Sequence, residues 1–365
     1  MLIVIGLVAA PRNVAAEGEP DGRQSPPQWR WIRFPEERQA HHIQVLGLPW
    51  FEDDVGDFGR LPLSAKEVVP SGAWNRSRAP SGGRIRFRSD TTRLALRLKG
   101  EGSLSRRSTM SAQGSRGLDV YVDGNYWKSV IIGELAEHEQ VAFRDVAAQT
   151  REITIYLPVG QELKVTAIGV DPNAGVSGAE KFSRPKPIVF YGSSIAQGSG
   201  VSRPGMTYEA VLAHKLNVDF VNLGFGGAGK AEPPVVELVA SLDACCFVFD
   251  LGRSYGDQDK SAYKQMLTSV RAQHPTIPMV CVSPIYNPIE LHDQRWIERT
   301  RHTRQVVREA FDDLKPTDEN LYFVGEYDLV RPSEGDGSNE GVHPSDLGYS
   351  MMAERLAAIL APLLP

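Results

Sequence analysis

The chain has 365 residues, 41% hydrophobic and 23% charged, with a formal net charge of -5. That length and apolar content build more than one core, so two domains are expected. The slightly acidic balance leaves no basic excess to neutralise phosphates, which sets nucleic acid aside as a partner, and no run of about 18 apolar residues is present to span a membrane.

In chain order, the apolar stretch 2–10 and the small residues Val14, Ala15 and Ala16 predict a signal peptide over residues 1–16, and with it a secreted or periplasmic protein, although no Lys or Arg precedes the stretch. Residues 17–29 read as a disordered lead-in. Residues 30–172 alternate apolar and polar positions at 84–88, 93–98, 119–122, 129–132 and 152–157, broken by Gly, Asp, Asn and Ser turns, which is the pattern of a β-sandwich. Residues 173–186, rich in Gly, Pro and charge, read as a linker. Over residues 187–365, strands at 188–191, 220–225, 246–251, 279–283 and 321–324 alternate with helices at 208–216, 235–242, 261–273, 295–314 and 348–363. Such βα units imply a parallel sheet wrapped by helices, with ligands outside the carboxyl ends of its strands. Cys245, Cys246 and Cys281 lie in apolar runs and read as buried thiols, and the eight histidines show no metal-ligand spacing, so neither a metal nor a cofactor is expected.

The first strand of the second domain runs into Tyr191-Gly192-Ser193-Ser194-Ile195-Ala196-Gln197-Gly198. A serine there, at the mouth of a helix whose first N–H groups are free, is placed to act as a nucleophile over an oxyanion site. Standing alone, the same turn would be a helix cap. Near the other end of the domain, Asn339-Glu340-Gly341-Val342-His343-Pro344 precedes the last helix. An acid three residues ahead of a histidine can bond Nδ1 and leave Nε2 free to take a proton from a serine hydroxyl. Asp346 reads as the N-cap of that helix.

Between them, Asn222-Leu223-Gly224-Phe225-Gly226-Gly227-Ala228-Gly229 supplies glycines that let backbone N–H groups approach a ligand. Residues 224–230 also match the first seven positions of a phosphate-binding P-loop. Against a nucleotide binder, Ala231 stands where the magnesium-ligating hydroxyl belongs, and Pro233-Pro234 crowds the next helix.

Taken in order, Gly-x-Ser-Ile at 192–195, Asn-x-Gly-x-x-Gly at 222–227 and Glu-Gly-Val-His-Pro at 340–344 resemble the SGNH (GDSL-like) hydrolase superfamily over about residues 187–365. Arg203-Pro204-Gly205-Met206, Leu48-Pro49-Trp50-Phe51, Pro80-Ser81-Gly82-Gly83-Arg84 and Gly117-Leu118-Asp119-Val120-Tyr121 are similar to the branch with an N-terminal Gly-x-Asp-Leu-Tyr domain. The resemblance implies an α/β fold: a three-layer α/β/α, flavodoxin-like hydrolase domain preceded by a jelly-roll-like β-sandwich. It also implies a serine esterase in which Ser194 attacks the ester carbonyl, His343 is base and then acid, and Glu340 holds the imidazole. The N–H groups of Ser194 and Gly227 would line the oxyanion hole. Position 196 is Ala, so the Gly-x-Ser-x-Gly elbow of α/β-hydrolases is absent.

Two residues depart from the family pattern. The acid is usually Asp and here is Glu340. The family's Asn donor after the third strand is replaced by position with Ser254, in Asp250-Leu251-Gly252-Arg253-Ser254-Tyr255. Losing one oxyanion donor typically costs about 2.7–4 kcal/mol, or ~100–1,000-fold in turnover. Ser254 or Arg253 could supply a replacement, or both could be ordinary loop residues. The expected substrate is a small-molecule or carbohydrate ester, O-acetyl groups on a carbohydrate first. The alternatives are a lipase acting on longer acyl chains and a degenerate SGNH scaffold that binds carbohydrate without catalysis. In the sandwich, Asp119, Tyr121, Trp50 and Trp74 either form a sugar platform or pack a core, and Arg203 is either a solvated loop charge or a cleft wall.

Overall fold

The computed structural model describes residues 28–106 and 108–364. The signal peptide expected at 1–16, and all but the end of the 17–29 lead-in, lie outside the described residues. Among the described residues, ten strands build the N-terminal half: β1 (Arg30–Arg33), β2 (Gln44–Leu46), β3 (Arg84–Ser89), β4 (Leu94–Gly100), β5 (Gly117–Val122), β6 (Asn125–Ile131), β7 (His138–Phe143), β8 (Arg151–Tyr156), β9 (Leu163–Val170) and β10 (Val176–Ser177). They form two antiparallel sheets, β1-β9-β4-β7 and β10-β3-β8-β5-β6, with β2 also paired to β3. Alternation places Ile85 and Phe87 of β3 with Ile153 and Ile155 of β8 in the core between the sheets, and turns Arg84, Arg86 and Arg88 to the opposite face. Inside the segment expected as a linker, Val176 and Ser177 pair with Ser89 and Arg88, so that stretch adds a strand to the sandwich before the chain leaves it.

The second half is a parallel sheet of β11 (Ile188–Gly192), β12 (Phe220–Gly224), β13 (Cys246–Asp250), β14 (Met279–Val282) and β15 (Leu321–Val324), in the order β12-β11-β13-β14-β15. Its strands are buried on both faces and therefore read as unbroken apolar runs. Val189, Tyr191 and Phe247 pack on one side against the helices Pro233–Ala240, Lys260–Gln273 and Gln294–Leu314. Ile188, Phe190 and Val248 pack on the other against Tyr208–Leu216 and Asp346–Leu360. Because β11 has β12 on one side and β13 on the other, the strand order reverses at its carboxyl end, where α/β folds place their ligands. Ser194 follows that end by two residues. Cys245, Cys246 and Cys281 are free and buried, and burial pushes their thiols up, to about 11 at Cys245 and about 12 at Cys281.

Buried arginines lock the two halves together. Arg60, with no exposed surface, donates to the carbonyls of Ala79 (2.8 Å) and Arg76 (2.6 Å) in its own half and of Asn222 (3.0 Å) and Gly224 (2.6 Å) across the junction. Its guanidinium lies 5.0 Å from the Phe225 ring centroid. Arg84 pairs with Asp219 and donates to the Phe220 carbonyl at 2.9 Å. Trp50 and Trp74 are half-buried against the hydrolase core, which makes them packing residues of this junction.

Candidate active site

The backbone places Ser194 before any side chain matters. Ser193 caps the short helix Ser194–Gln197, accepting from the Ile195 N–H at 3.2 Å, while its own N–H donates to the Asp250 carbonyl at 2.8 Å. The first intrahelical bond runs from the Gln197 N–H to the Ser193 carbonyl, so the N–H of Ser194 precedes the helical ladder and is free to bind an oxyanion. Three anchors hold this turn. The Asn222 amide donates to the Ala196 carbonyl (2.5 Å), the Ser81 hydroxyl to the Gln197 carbonyl (2.7 Å), and the Tyr349 hydroxyl to the Ser199 carbonyl (2.7 Å).

The histidine loop is built as tightly. Asn339 N–H donates to the His343 carbonyl at 2.8 Å, and Gly341, at φ +85°, donates to the Ser338 hydroxyl at 2.9 Å. Gly200, at φ +101°, is required where the two loops meet, because a side chain there would collide with the Pro344 carbonyl and press on His343. Asp346 does not cap the last helix as expected; Ser345 occupies the N-cap position, and the Asp346 carboxylate accepts from the N–H of Ser202 at 2.8 Å and from its hydroxyl. It therefore ties the loop after Ser194 to the helix after His343.

These supports bring three side chains into line. Ser194 Oγ is 2.9 Å from His343 Nε2, and His343 Nδ1 is 2.5 Å from Glu340 Oε1, which also accepts the His343 backbone N–H at 3.1 Å. With the proton on Nδ1 held by the carboxylate, Nε2 is the acceptor for the serine hydroxyl. The longer Glu340 thus reaches the imbidazole edge that the family's Asp serves, because it hangs from the same tight turn as the histidine.

The glycine loop folds back on the protein and does not form a phosphate cradle. Phe225 N–H donates to the Gly192 carbonyl, Ala228 and Gly229 N–H both donate to the Phe225 carbonyl, and Gly226 N–H donates to Gln197 Oε1 at 2.9 Å. The exposed Gly227 points its N–H at Ser254 Oγ, 3.2 Å away. Ser254 is thereby bonded to one of the two backbone N–H groups expected to line the oxyanion hole. Arg253 is not: its guanidinium stacks 4.5 Å from the Trp296 ring centroid, 3.7 Å from Glu290, and burial holds it down at about 10. Among the described residues, no group of three or more His, Cys, Asp or Glu is placed to hold a metal ion.

Beneath the serine, Asp250 is buried and accepts from the Tyr208 hydroxyl at 3.2 Å, and burial pushes its carboxyl up to about 6. The Gly117–Tyr121 signature has a role that its sequence does not announce. Asp119, fully buried, accepts from the Gly205 N–H at 2.8 Å and pairs with Arg203 at 3.0 Å, while Arg203 also donates to the Tyr121 hydroxyl at 2.7 Å. Arg203 is therefore not a solvated charge; with Asp119 and Tyr121 it clamps the sandwich to the loop beyond Ser194.

Comparison with known proteins adds a family and a fold. The GDSL-like Lipase/Acylhydrolase family model matches residues 185–361, and the model for the N-terminus of SGNH-hydrolase-type esterases, GxDLY, matches residues 30–176. A Bacteroides ovatus protein described as a GDSL-like lipase is 25% identical with a TM-score of 0.81, over 92% of this chain and 98% of its own. A salicylyl-acyltransferase of a tetracycline biosynthetic pathway is 22% identical with a TM-score of 0.77, over 92% of this chain and 99% of its own. An acetyl xylan esterase of Butyrivibrio proteoclasticus is 14% identical with a TM-score of 0.61, over 92% of this chain and 98% of its own. No curated protein matches the chain.

Proposed function

Because the chain belongs to the SGNH (GDSL-like) serine hydrolases, with a GxDLY-type N-terminal domain, we infer that it is an esterase that removes acyl groups, acetyl first, from a carbohydrate through an acyl-enzyme on Ser194. The observation that carries this reading is the unbroken relay from Ser194 Oγ to His343 Nε2 and from His343 Nδ1 to Glu340. Ser194 Oγ attacks the ester carbonyl carbon while its proton passes to Nε2. The oxyanion accepts from the N–H of Ser194 and from the Ser254 hydroxyl, which the Gly227 N–H holds in place. The imidazolium then protonates the departing alcohol, leaving an acyl-serine. Water gives its proton to Nε2, attacks the acyl carbon, and releases the carboxylic acid as Ser194 is reprotonated. An intact relay speaks against a decayed, binding-only scaffold.

Support for a carbohydrate ester comes from the fold shared with the acetyl xylan esterase and from the export expected of residues 1–16. The stronger likeness to the acyltransferase favours a second outcome for the same intermediate, transfer to an acceptor hydroxyl instead of water. The test is release of acetate from acetylated xylan by the purified protein, beside p-nitrophenyl esters of two to twelve carbons and with an acceptor alcohol present. Acetate release together with a preference for the shortest ester supports the reading. A preference for long chains favours a lipase, and formation of a new ester favours transfer.

A further inference from the structure

The sheet β10-β3-β8-β5-β6 shows one face to the sandwich core and the other to the hydrolase domain. By strand alternation, Arg84, Arg86 and Arg88 share that second face with Thr154 and Tyr156 of β8 and with Tyr121 of β5. Such polar faces ordinarily stand in water. Here Phe182, Phe220 and the end of the helix Tyr208–Leu216 cover it and leave a cavity of about 470 Å3 between the domains. Its hydrolase wall comes from the amino end of β12, whereas Ser194 sits at the carboxyl end of the same sheet, so the cavity is distinct from the acyl site.

Its chemistry is mixed. Each arginine is matched by a carboxylate: Arg84 by Asp219, Arg86 by Glu152 at 2.6 Å, and Arg88 by Glu180 at 3.3 Å. The paired charges make a poor anion trap but a fixed array of donors and acceptors. The guanidinium groups of Arg84 and Arg86 lie 3.8 Å and 4.3 Å from the ring centroids of Phe220 and Phe182, which holds them in place. Tyr156 lines the cavity and is only 9% exposed, and Arg86 Nη1 beside it is buried with no hydrogen-bond partner among the described residues. Buried polar groups are normally satisfied, so this one is left for a ligand. Burial pushes the Tyr156 phenol up to about 12, which keeps it a donor.

We propose that this interdomain cavity binds a neutral saccharide, its hydroxyl groups satisfied by the Tyr156 hydroxyl and the carboxylate-paired arginines and its ring packed against Phe182. The volume falls in the ~300–1,000 Å3 range of small-molecule sites. The proposal does not depend on catalysis at Ser194, and a protein without esterase activity would still show it.

Calorimetric titration of the full-length protein with xylohexaose, cellohexaose and mannohexaose, and with inorganic phosphate, tests it. The expected result is binding of at least one oligosaccharide and not of phosphate, weakened tenfold or more by Tyr156→Phe and by Phe182→Ala. Both variants should keep wild-type turnover of p-nitrophenyl acetate if the wild type has any, and melting within a few degrees of wild type shows that they are folded. Absence of binding to all three sugars, binding untouched by either folded variant, or a preference for phosphate overturns the proposal.

Discussion

Ser254 Oγ stands 3.2 Å from the backbone nitrogen of Gly227. The hydroxyl accepts from that N–H and keeps its own proton to offer an oxyanion. In the proposed mechanism it fills part of the role of the longer amide side chain expected there. Ser254→Ala is therefore expected to lower kcat by roughly tenfold or more with KM little changed, because the lost donor acts only on the developing charge. Ser254→Asn is expected to raise kcat above wild type. Steady-state kinetics on p-nitrophenyl acetate decides, and equal rates for all three proteins would remove Ser254 from the oxyanion hole.

Glu340 is held to His343 by a 2.5 Å bond that depends on its length. Glu340→Gln keeps the shape but loses the charge that favours the imidazolium, and is expected to lower kcat by about 1,000- to 10,000-fold. Glu340→Asp withdraws the carboxylate by one methylene and should fall between that variant and wild type. A Glu340→Asp enzyme as fast as wild type would show that reach is not what selects glutamate here.

Arg60 bridges the two halves outside the site. Its removal strands the carbonyls of Ala79, Arg76, Asn222 and Gly224 in a buried junction. Stranded buried acceptors cost about 1–3 kcal/mol each and do not simply add. Arg60→Met is expected to lose at least about 3 kcal/mol in urea unfolding. It should also lower kcat, since the Asn222–Gly224 segment leads into the Gly227 turn. Loss of stability without loss of turnover would confine Arg60 to a structural role.

Asp250 makes stability depend on pH. Its folded-state value, about 6, lies above the ordinary 3.8, so the folded chain binds the proton more tightly than the unfolded one. The sign follows: this contribution is complete below about pH 4 and is lost as pH rises through about 6. Glu209, raised in the same direction by burial, adds to the trend. Asp250→Asn should stabilise the protein relative to wild type by on the order of 2–3 kcal/mol more at pH 8 than at pH 4. Wild-type and variant curves that run parallel from pH 4 to 8 would contradict the assignment.

The hydrolase half was readable because its strands are buried on both faces. Runs such as Ile188–Gly192 and Cys246–Asp250 are nearly continuously apolar, and the helices between and after the strands stand within about three residues of where periodicity puts them. The sandwich was read only in part. In β7, His138–Phe143, the partly exposed first four residues blur the alternation, and β1 and β2 are too short to show a period. Ser194, Glu340 and His343 stood out through local spacing. The partners of Asp346, Arg203 and Asp119 did not, because they lie more than 80 residues apart and become neighbours only in the folded chain.

The central claim is that Ser194 is a nucleophile activated by His343. Intact-mass measurement after exposure to a fluorophosphonate tests it most directly, because the reagent needs an activated serine but no knowledge of the substrate. One adduct per wild-type chain, mapped to Ser194, absent from Ser194→Ala and slowed at least ~100-fold in His343→Ala, is the predicted result. An unlabelled wild-type protein, or an adduct that survives Ser194→Ala, would contradict it.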